Sequence, residues 1–330
     1  MSFDLTRRRL LATGAAAAAL PILGSQAKGQ AGWPNKPIKI IVPYPVGGQT
    51  DMIARAYGEY FARQLGQPVV VENKSGAGGI VGATEVKRSA PDGYTFMLSI
   101  GSALINNRVL FKELPYDPDK DFVLIAGIIS EGVPIVVSSK CGATNLKEFI
   151  EYAKKTDKVS IGTFGAGTTG HTVAIELNRQ FGTNIEPVHY RGEAPMWADL
   201  ASQSIDAAAG SYVAALPVLQ AGRGKVIGTS GLPIRALPDA KPFQEQGATS
   251  PLFGLRGFAG LLSAPAGLPD EIVRKLSALM VAAGSDEKTQ TALSSFAIHK
   301  PIGFEETRKI YTEESPQLLK ILTSLNLTPQ

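Results

Sequence analysis

Two glycine-rich segments of this chain have the composition of loops that hold an anion. The first, VPYPVGGQTDMIAR at residues 42–55, begins as an apolar run, contains Gly47 and Gly48, and continues as a helical pattern that carries Asp51. It has no lysine, arginine or histidine before its final residue. Backbone N–H groups and the macrodipole at a helix N-terminus bind anions without a cationic side chain, with a gain of about 0.3–1 kcal/mol when exposed. The segment therefore predicts an anion site made of main-chain amides.

The second segment, at residues 159–182, repeats the order of strand, glycine-rich turn and helix. Its turn, GAGTTG at 165–170, lacks the lysine of a P-loop, so phosphate hydrolysis is not expected. A third glycine cluster, GAGGIVG at 76–82, differs in spacing from the dinucleotide fingerprint, and no downstream acid is marked as a ribose ligand. The sequence has no Gly-x-Ser-x-Gly elbow, carboxylate pair or metal-ligand spacing that predicts a hydrolase.

The elements around these loops predict two α/β units. Through about residue 100, apolar runs of strand length alternate with helical patterns in the order strand-helix-strand-helix-strand, which is typical of a parallel sheet. The order of strand, glycine-rich turn and helix recurs from residue 159, which predicts a second α/β unit. In open α/β sheets, ligands bind beyond the carboxyl ends of strands and at helix N-termini, so the two glycine loops should line one cleft.

Two long apolar strands flank the middle unit and predict that the chain crosses between the units twice. They lie in LIAGIISEGVPIVV and in GFAGLLSAP. We therefore expect a signal segment at 1–31, a first lobe formed by 32–130 and 255–330, and a second lobe at 131–254.

The first 31 residues read as a secretory leader. A basic start, a short alanine-rich apolar run and small residues near the exit follow the layout of a signal peptide, and Arg7 and Arg8 resemble the twin-arginine export motif. A Sec signal or a tethered N-terminal helix remains the alternative. We expect export to the periplasm.

Composition excludes several classes of function. The formal net charge of +4 falls to about +1 when the leader is removed, and no basic stripe with interleaved aromatics is present, so nucleic acid is not an expected partner. The single cysteine, Cys141, excludes an intramolecular disulfide and a cysteine metal cluster. No apolar run long enough to span a membrane follows the leader. We expect no metal and no cofactor.

Six ordered segments resemble the extracytoplasmic solute-binding proteins of tripartite tricarboxylate transporters, the Bug family. The resemblance runs from about Trp33 to the C-terminus through IKIIVPYPVGGQTDMIAR, VVVENKSGAGGIVGATEVKRSAPDGYTFMLS, LPYDPDKDF, GTFGAGTTGHTVAIEL, VHYRGEAPMWADLASQSIDAA and GFAGLLSAPAGLP. It implies a type II periplasmic-binding-protein fold, in which two α/β lobes are joined by a two-strand hinge with the ligand cleft between them. It also implies a ligand that is an organic acid: a di- or tricarboxylate, an acidic amino acid or an aromatic carboxylate.

The resemblance also implies the ligand-binding residues, which fall in four groups. The first-lobe motif supplies Tyr44, Val46, Gly47, Gly48, Gln49 and Asp51, the end of the third strand supplies Ser99 and Ser102, the second glycine loop supplies Gly167, Thr168, Thr169 and His171, and later segments supply Arg191, Gly192 and Asp206. Three of these have a purely structural alternative: Asp51 as a helix N-cap, His171 as a packed helix-face residue, and Asp206 as the anchor of a loop.

One segment departs from the family pattern. Relatives commonly read Val-Pro-Tyr-Lys-Gly where this chain has Val188-His189-Tyr190-Arg191-Gly192. Arg191 is either a bidentate clamp for a carboxylate or a solvated surface residue, and His189, within a strand, is expected to be packed. The departure leaves ligand recognition by the second lobe open.

The resemblance predicts a monomeric, non-enzymatic binding protein. It would capture a small carboxylate by closure of its lobes and deliver it to membrane transporter subunits. A periplasmic sensor that feeds a two-component system is the alternative on the same fold, and an exported α/β enzyme is a further one.

Overall fold

The computed structural model describes residues 32–165, 167–294, 296–325 and 327–329. The predicted leader at 1–31 lies outside the described residues. The account below concerns Lys36–Gln330, which form one compact unit. Within the described residues, no helix combines the length and the apolar character needed to cross a bilayer.

Strands and helices alternate along most of the chain. The strands are β1 (Ile38–Val42), β2 (Val69–Asn73), β3 (Thr95–Ser99), β4 (Phe122–Ser130), β5 (Val133–Ser138), β6 (Val159–Thr163), β7 (Ile185–His189), β8 (Ala207–Ala209), β9 (Gly224–Ser230), β10 (Phe258–Pro265) and β11 (Ile298–Ile302). The helices are α1 (Gln49–Leu65), α2 (Ile80–Lys87), α3 (Asn107–Leu110), α4 (Leu146–Lys155), α5 (Thr169–Phe181), α6 (Glu193–Ala201), α7 (Tyr212–Gln220), α8 (Asp270–Ala283), α9 (Glu287–Leu293) and α10 (Phe304–Ser324).

The strands form two separate sheets, which gives two α/β lobes. The first sheet has the order β11-β4-β10-β3-β1-β2 and the second has the order β7-β6-β8-β5-β9. The chain therefore passes from the first sheet to the second after β4 and returns before β10. The predicted lobe boundaries near 131 and 254 stay a prediction, although every strand of the second sheet falls between them.

The parallel arrangement predicted through about residue 100 is confirmed for β1, β2 and β3, although each complete sheet also contains antiparallel strands. β1, β2 and β3 are parallel neighbours, but β10 runs antiparallel to both β3 and β4. In the second sheet, β5 runs antiparallel to β8 and β9. The crossings explain this: a strand that enters a sheet at the edge where its neighbour leaves must run in the opposite direction.

Strand register places both glycine loops at the edges where the chain crosses between the sheets. Phe258 pairs with Ile129, so β10 starts where β4 ends, and β1 and β3 run in the direction of β4. In the second sheet, Val133 pairs with Ser230, and the carboxyl ends of β6 and β8 lie at that same edge. The loops after β1 and β6 therefore leave from the edges at the crossings.

Helix α10 packs against the cores of both lobes. Its residues Ile310 and Tyr311 are buried in the core of the first sheet, which also contains Met97 and Leu261. Near its other end, Ile321 is buried with the core between the second sheet and helices α4 and α5.

Candidate ligand-binding site

Helix α1 follows the loop after β1, and its first amides have no acceptor among the described residues. Gly48 is the N-cap residue, with φ −74°, and no side chain caps the helix. The first carbonyl bond at this end runs from the Met52 N–H to the Gly48 oxygen at 3.0 Å. The N–H groups of Gln49 and Thr50 therefore donate to no described residue, as expected for the first turn of a helix.

The side chain of Asp51 fixes the conformation of this loop. Its carboxylate, 3% exposed, accepts the Gly47 N–H at 2.9 Å, the Arg55 Nε–H at 3.1 Å and the Asn73 Nδ2–H at 3.0 Å. Burial by itself raises the pKa of Asp51, but these three donors together hold that pKa below its usual value. The Gly47 amide, predicted to bind ligand, is thus already donated within the protein, and Arg55 balances the charge of Asp51.

The loop after β6 has the same construction. Gly167, at φ +72°, donates its N–H to Nδ1 of His171 at 3.0 Å. Thr168 is the N-cap residue of α5, again without a side-chain cap, and the first carbonyl bond runs from the Thr172 N–H to Thr168 at 3.1 Å. The N–H groups of Thr169 and Gly170 find no acceptor among the described residues.

In both loops, the N–H of a glycine donates to a side chain four residues further along the chain, and we call this hydrogen bond the lock. Gly47, at φ +81°, and Gly167 each adopt the left-handed conformation that glycine tolerates best. Each gives its N–H to the side chain at the third helical position, Asp51 in the first loop and His171 in the second. The lock fixes the loop and leaves the first helical amides at the crossing edge without an acceptor among the described residues, an arrangement suited to an anion.

The lock defines the tautomer of His171. Because Nδ1 accepts a backbone N–H, the ring proton resides on Nε2. Burial, with a smaller contribution from His189, lowers the pKa of His171 and keeps the ring neutral. The two imidazoles meet edge to face, with centroids 4.9 Å apart. His189, which we expected to be packed within a strand, is instead the exposed last residue of β7.

The hydroxyls of the second loop differ in their availability. Thr168 Oγ1 is engaged inside the loop: it donates to the Gly165 oxygen at 2.8 Å and contacts Thr163 Oγ1. The half-buried Thr169 hydroxyl bonds to no described residue. Thr169 is therefore the better candidate for a side-chain contact with a ligand.

Arg191 and Gly192 follow β7 at the same edge as the second loop. Arg191 is exposed and forms no ion pair with the described residues, so its guanidinium is available to a carboxylate. Gly192, at φ +117°, is the N-cap residue of α6.

Val46 belongs to the first loop. It is 71% exposed, so its side chain is not part of a core.

Three hydroxyl residues predicted to bind ligand lie at the ends of β1 and β3. Ser99 is fully buried, and its Oγ finds no hydrogen-bond partner among the described residues. The Tyr44 hydroxyl is also buried without a partner of normal geometry, and burial raises its pKa to about 12 against a smaller opposing effect of Ser102. These buried hydroxyls border the first loop and can each donate one hydrogen bond.

The structure does not bring Asp206 to this edge. It precedes β8 and therefore lies at the amino end of the strand, away from the glycine loops. Its carboxylate accepts from Tyr152 Oη at 2.9 Å, the Ser160 N–H at 2.9 Å and Lys140 Nζ at 3.1 Å. Asp206 thus anchors β8 to its neighbours, the structural alternative that the sequence left open.

The described residues contain no group of three or more His, Cys, Asp or Glu side chains that could hold a metal ion. The site is therefore described by amides, hydroxyls and two imidazoles, with Arg191 beside them. Such a set is suited to an anion.

Comparison with known proteins agrees with this chemistry. The family described as "Tripartite tricarboxylate transporter family receptor" matches residues 53–327. A UPF0065 protein of Bordetella pertussis is 34% identical over 246 residues, 74% of this chain and 75% of that protein.

Two solved structures from Rhodopseudomonas palustris share the fold. MatC with bound malate is 27% identical, with a TM-score of 0.68 over 88% of this chain and 99% of its own. Rpa4515 with adipate is 26% identical, with a TM-score of 0.73 over 90% of this chain and 100% of its own. The chain belongs to the tripartite tricarboxylate transporter receptor family of periplasmic solute-binding proteins.

Proposed function

We propose that this chain captures a small dicarboxylate or related organic acid in the periplasm and delivers it to a tripartite tricarboxylate-type membrane transporter. The observation that carries the proposal is the pair of locked loops, each of which presents uncapped helical amides at the edge of its own sheet. Malate and adipate, bound by the two relatives from Rhodopseudomonas palustris, are the first ligands to test.

Each loop would hold one end of the acid. In the first lobe, the carboxylate would accept the free amides of Gln49 and Thr50, with the Tyr44 hydroxyl nearby. In the second lobe, Thr169, the amide of Gly170 and Arg191 would receive the distal carboxylate. A ligand that touches both lobes favours the closed arrangement by the difference between its affinities for the closed and open states.

Substitutions at Gly48 test whether the first loop binds by its backbone. Gly48 has a negative φ, and a Cβ would come no closer than 3.4 Å to any neighbour, so Gly48→Ala should leave malate and adipate affinity within about twofold. Gly48→Pro removes the N–H that donates to the Pro45 oxygen at 3.5 Å, and its ring constrains the approach to the free amides of Gln49 and Thr50. Displacement of either amide costs one charge-assisted hydrogen bond, so we expect binding to weaken by about tenfold to a hundredfold in calorimetric titrations.

The decisive comparison is between each acid and its uncharged diamide. If the diamide binds as tightly as the acid, the loops do not recognise an anion and the proposal fails. Thermal melting of both variants checks that the fold survives. If Gly48→Pro does not fold, Gln49→Pro replaces it, because proline is favoured at the first position of a helix.

A further inference from the structure

A cavity of about 830 Å³ lies apart from the glycine loops. One wall comes from α1, α9 and β11, which belong to the lobe of the first sheet. The other comes from the start of α7 and from Arg235, between β9 and β10. None of the predicted ligand-binding residues lines it. Its volume falls within the range of about 300–1,000 Å³ that is usual for small-molecule sites.

Tyr57 supplies a donor at the cavity that forms no hydrogen bond with the described residues. The side chain is 3% exposed and lines the cavity, and its hydroxyl forms no hydrogen bond with the described residues. Burial raises its pKa, so the hydroxyl keeps its proton at neutral pH. Because this hydroxyl lines the cavity and has no partner among the described residues, it is available to an acceptor on a ligand.

The polar part of the lining is positive overall. Nε2 of His299 is buried without a partner among the described residues. Arg235 is balanced by Glu131, to which its Nε–H donates, and also donates to the Ile298 oxygen at 2.6 Å. Lys300 is exposed at the lining and has no ion pair with a described residue. The remaining charge thus favours an anion.

The rest of the lining is apolar. Val213 and Leu216 on α7 face this space, as does Leu293 at the end of α9. Val213 is 43% exposed, a large fraction for a valine in a helix that packs on a sheet. An apolar wall next to a few convergent polar groups is the usual composition of a ligand pocket.

We propose that this cavity is a second binding site, for an amphipathic monocarboxylic acid such as a medium-chain alkyl or an aryl-alkyl carboxylate. The carboxylate accepts the Tyr57 O–H and lies near Lys300, while the apolar body packs against Leu216 and Leu293. The cavity is lined from both lobes, so an occupant there also influences their closure.

Titration of octanoate and 4-phenylbutyrate into the full chain tests the proposal. Wild type should bind both acids more tightly than octanamide. Tyr57→Phe, which removes only the hydroxyl, should weaken octanoate binding by about tenfold to a hundredfold. Tyr60→Phe makes the same change one turn further along α1, where the side chain does not line the cavity, and should leave the affinity unchanged.

Three results would overturn the proposal: no binding of either acid to wild type at millimolar concentration, equal octanoate affinity in Tyr57→Phe and wild type, or loss of octanoate binding in Gly48→Pro. The last would place octanoate in the glycine-loop site. If Tyr57→Phe does not fold, the exposed Lys300→Gln variant takes its place; a several-fold loss supports the proposal, and an unchanged affinity contradicts it.

Discussion

Asp51 and His171 hold equivalent amides with different chemistry. A carboxylate accepts a hydrogen bond throughout the neutral range, but an imidazole accepts at Nδ1 only while that nitrogen is unprotonated. The lock on Gly167 is therefore sensitive to mild acid, and the lock on Gly47 is not.

Replacement of His171 by asparagine should reduce the pH dependence of stability. The pKa of His171 is lowered in the folded state, so its contribution is complete above the unfolded value of about 6.5 and is lost as pH falls through the lower folded value. Asparagine offers an acceptor at the position of Nδ1 and does not titrate. Between pH 7.5 and 5, wild type should lose about 1 kcal/mol more of its free energy of unfolding than His171→Asn does.

Urea unfolding at several pH values makes this measurement. His189 is the titratable residue in contact with the His171 ring, so His189→Asn serves as the matched control, and the steep dependence should persist in that variant. Identical pH profiles for wild type and His171→Asn would show that the lock does not respond to acid.

At the level of residues, composition predicted the loops but not their internal bonds. Glycine pairs before a helical pattern are visible in the sequence. The hydrogen bonds that Asp51 accepts from the Gly47 N–H, Arg55 and Asn73 are not visible in the sequence. They depend on contacts between two strands and a helix. A usable signal was missed for Asp206: it comes immediately before a strand, so it had to lie at the amino end.

Among the elements, apolar periodicity predicted the long strands and helices. Gly66 follows the last residue of α1 and ends the helix in the left-handed conformation that glycine adopts readily. β11 was missed because Ile298-His299-Lys300-Pro301-Ile302 carries two basic residues and a proline, a composition suited to an edge strand. The short helix α9 was missed because it contributes few buried apolar residues.

In each segment that connects the sheets, one carboxylate accepts both the backbone N–H and the Nε–H of an arginine, and we call this pair of hydrogen bonds a clasp. After β4, Glu131, 3% exposed at its side chain, accepts from both the Nε–H and, at 3.2 Å, the backbone N–H of Arg235. Before β10, Glu314 of α10 accepts the backbone N–H of Arg256 at 2.7 Å and its Nε–H at 2.6 Å. These paired bonds fix the backbone where the chain passes between sheets.

The first clasp should contribute measurably to stability. Glu131→Gln keeps the shape of the side chain but places an amide against donors, so a buried group is left unsatisfied. We expect a loss of about 1–3 kcal/mol in the free energy of unfolding, measured by urea denaturation. Glu151→Gln, at an exposed position of α4, should change it by less than about 0.5 kcal/mol. Equal effects of the two substitutions would show that the clasp is not stabilising.

For the whole molecule, the export route is a prediction that rests on the leader alone. Arg7 and Arg8 resemble the paired arginines of the twin-arginine route. The double substitution Arg7→Lys and Arg8→Lys should therefore block export while the chain accumulates in the cytoplasm. Cell fractionation measures the distribution, and an unchanged periplasmic fraction would indicate the Sec route instead.

The position of β10 has a consequence for the order of events during synthesis. β10 lies between β4 and β3 in the middle of the first sheet, yet more than a hundred residues separate it from β4 in the chain. A nascent chain has therefore completed all five strands of the second sheet before the first sheet can close. Until then, β3 lacks one of its neighbouring strands and β4 lacks both, so we expect the first lobe to complete its folding after the second.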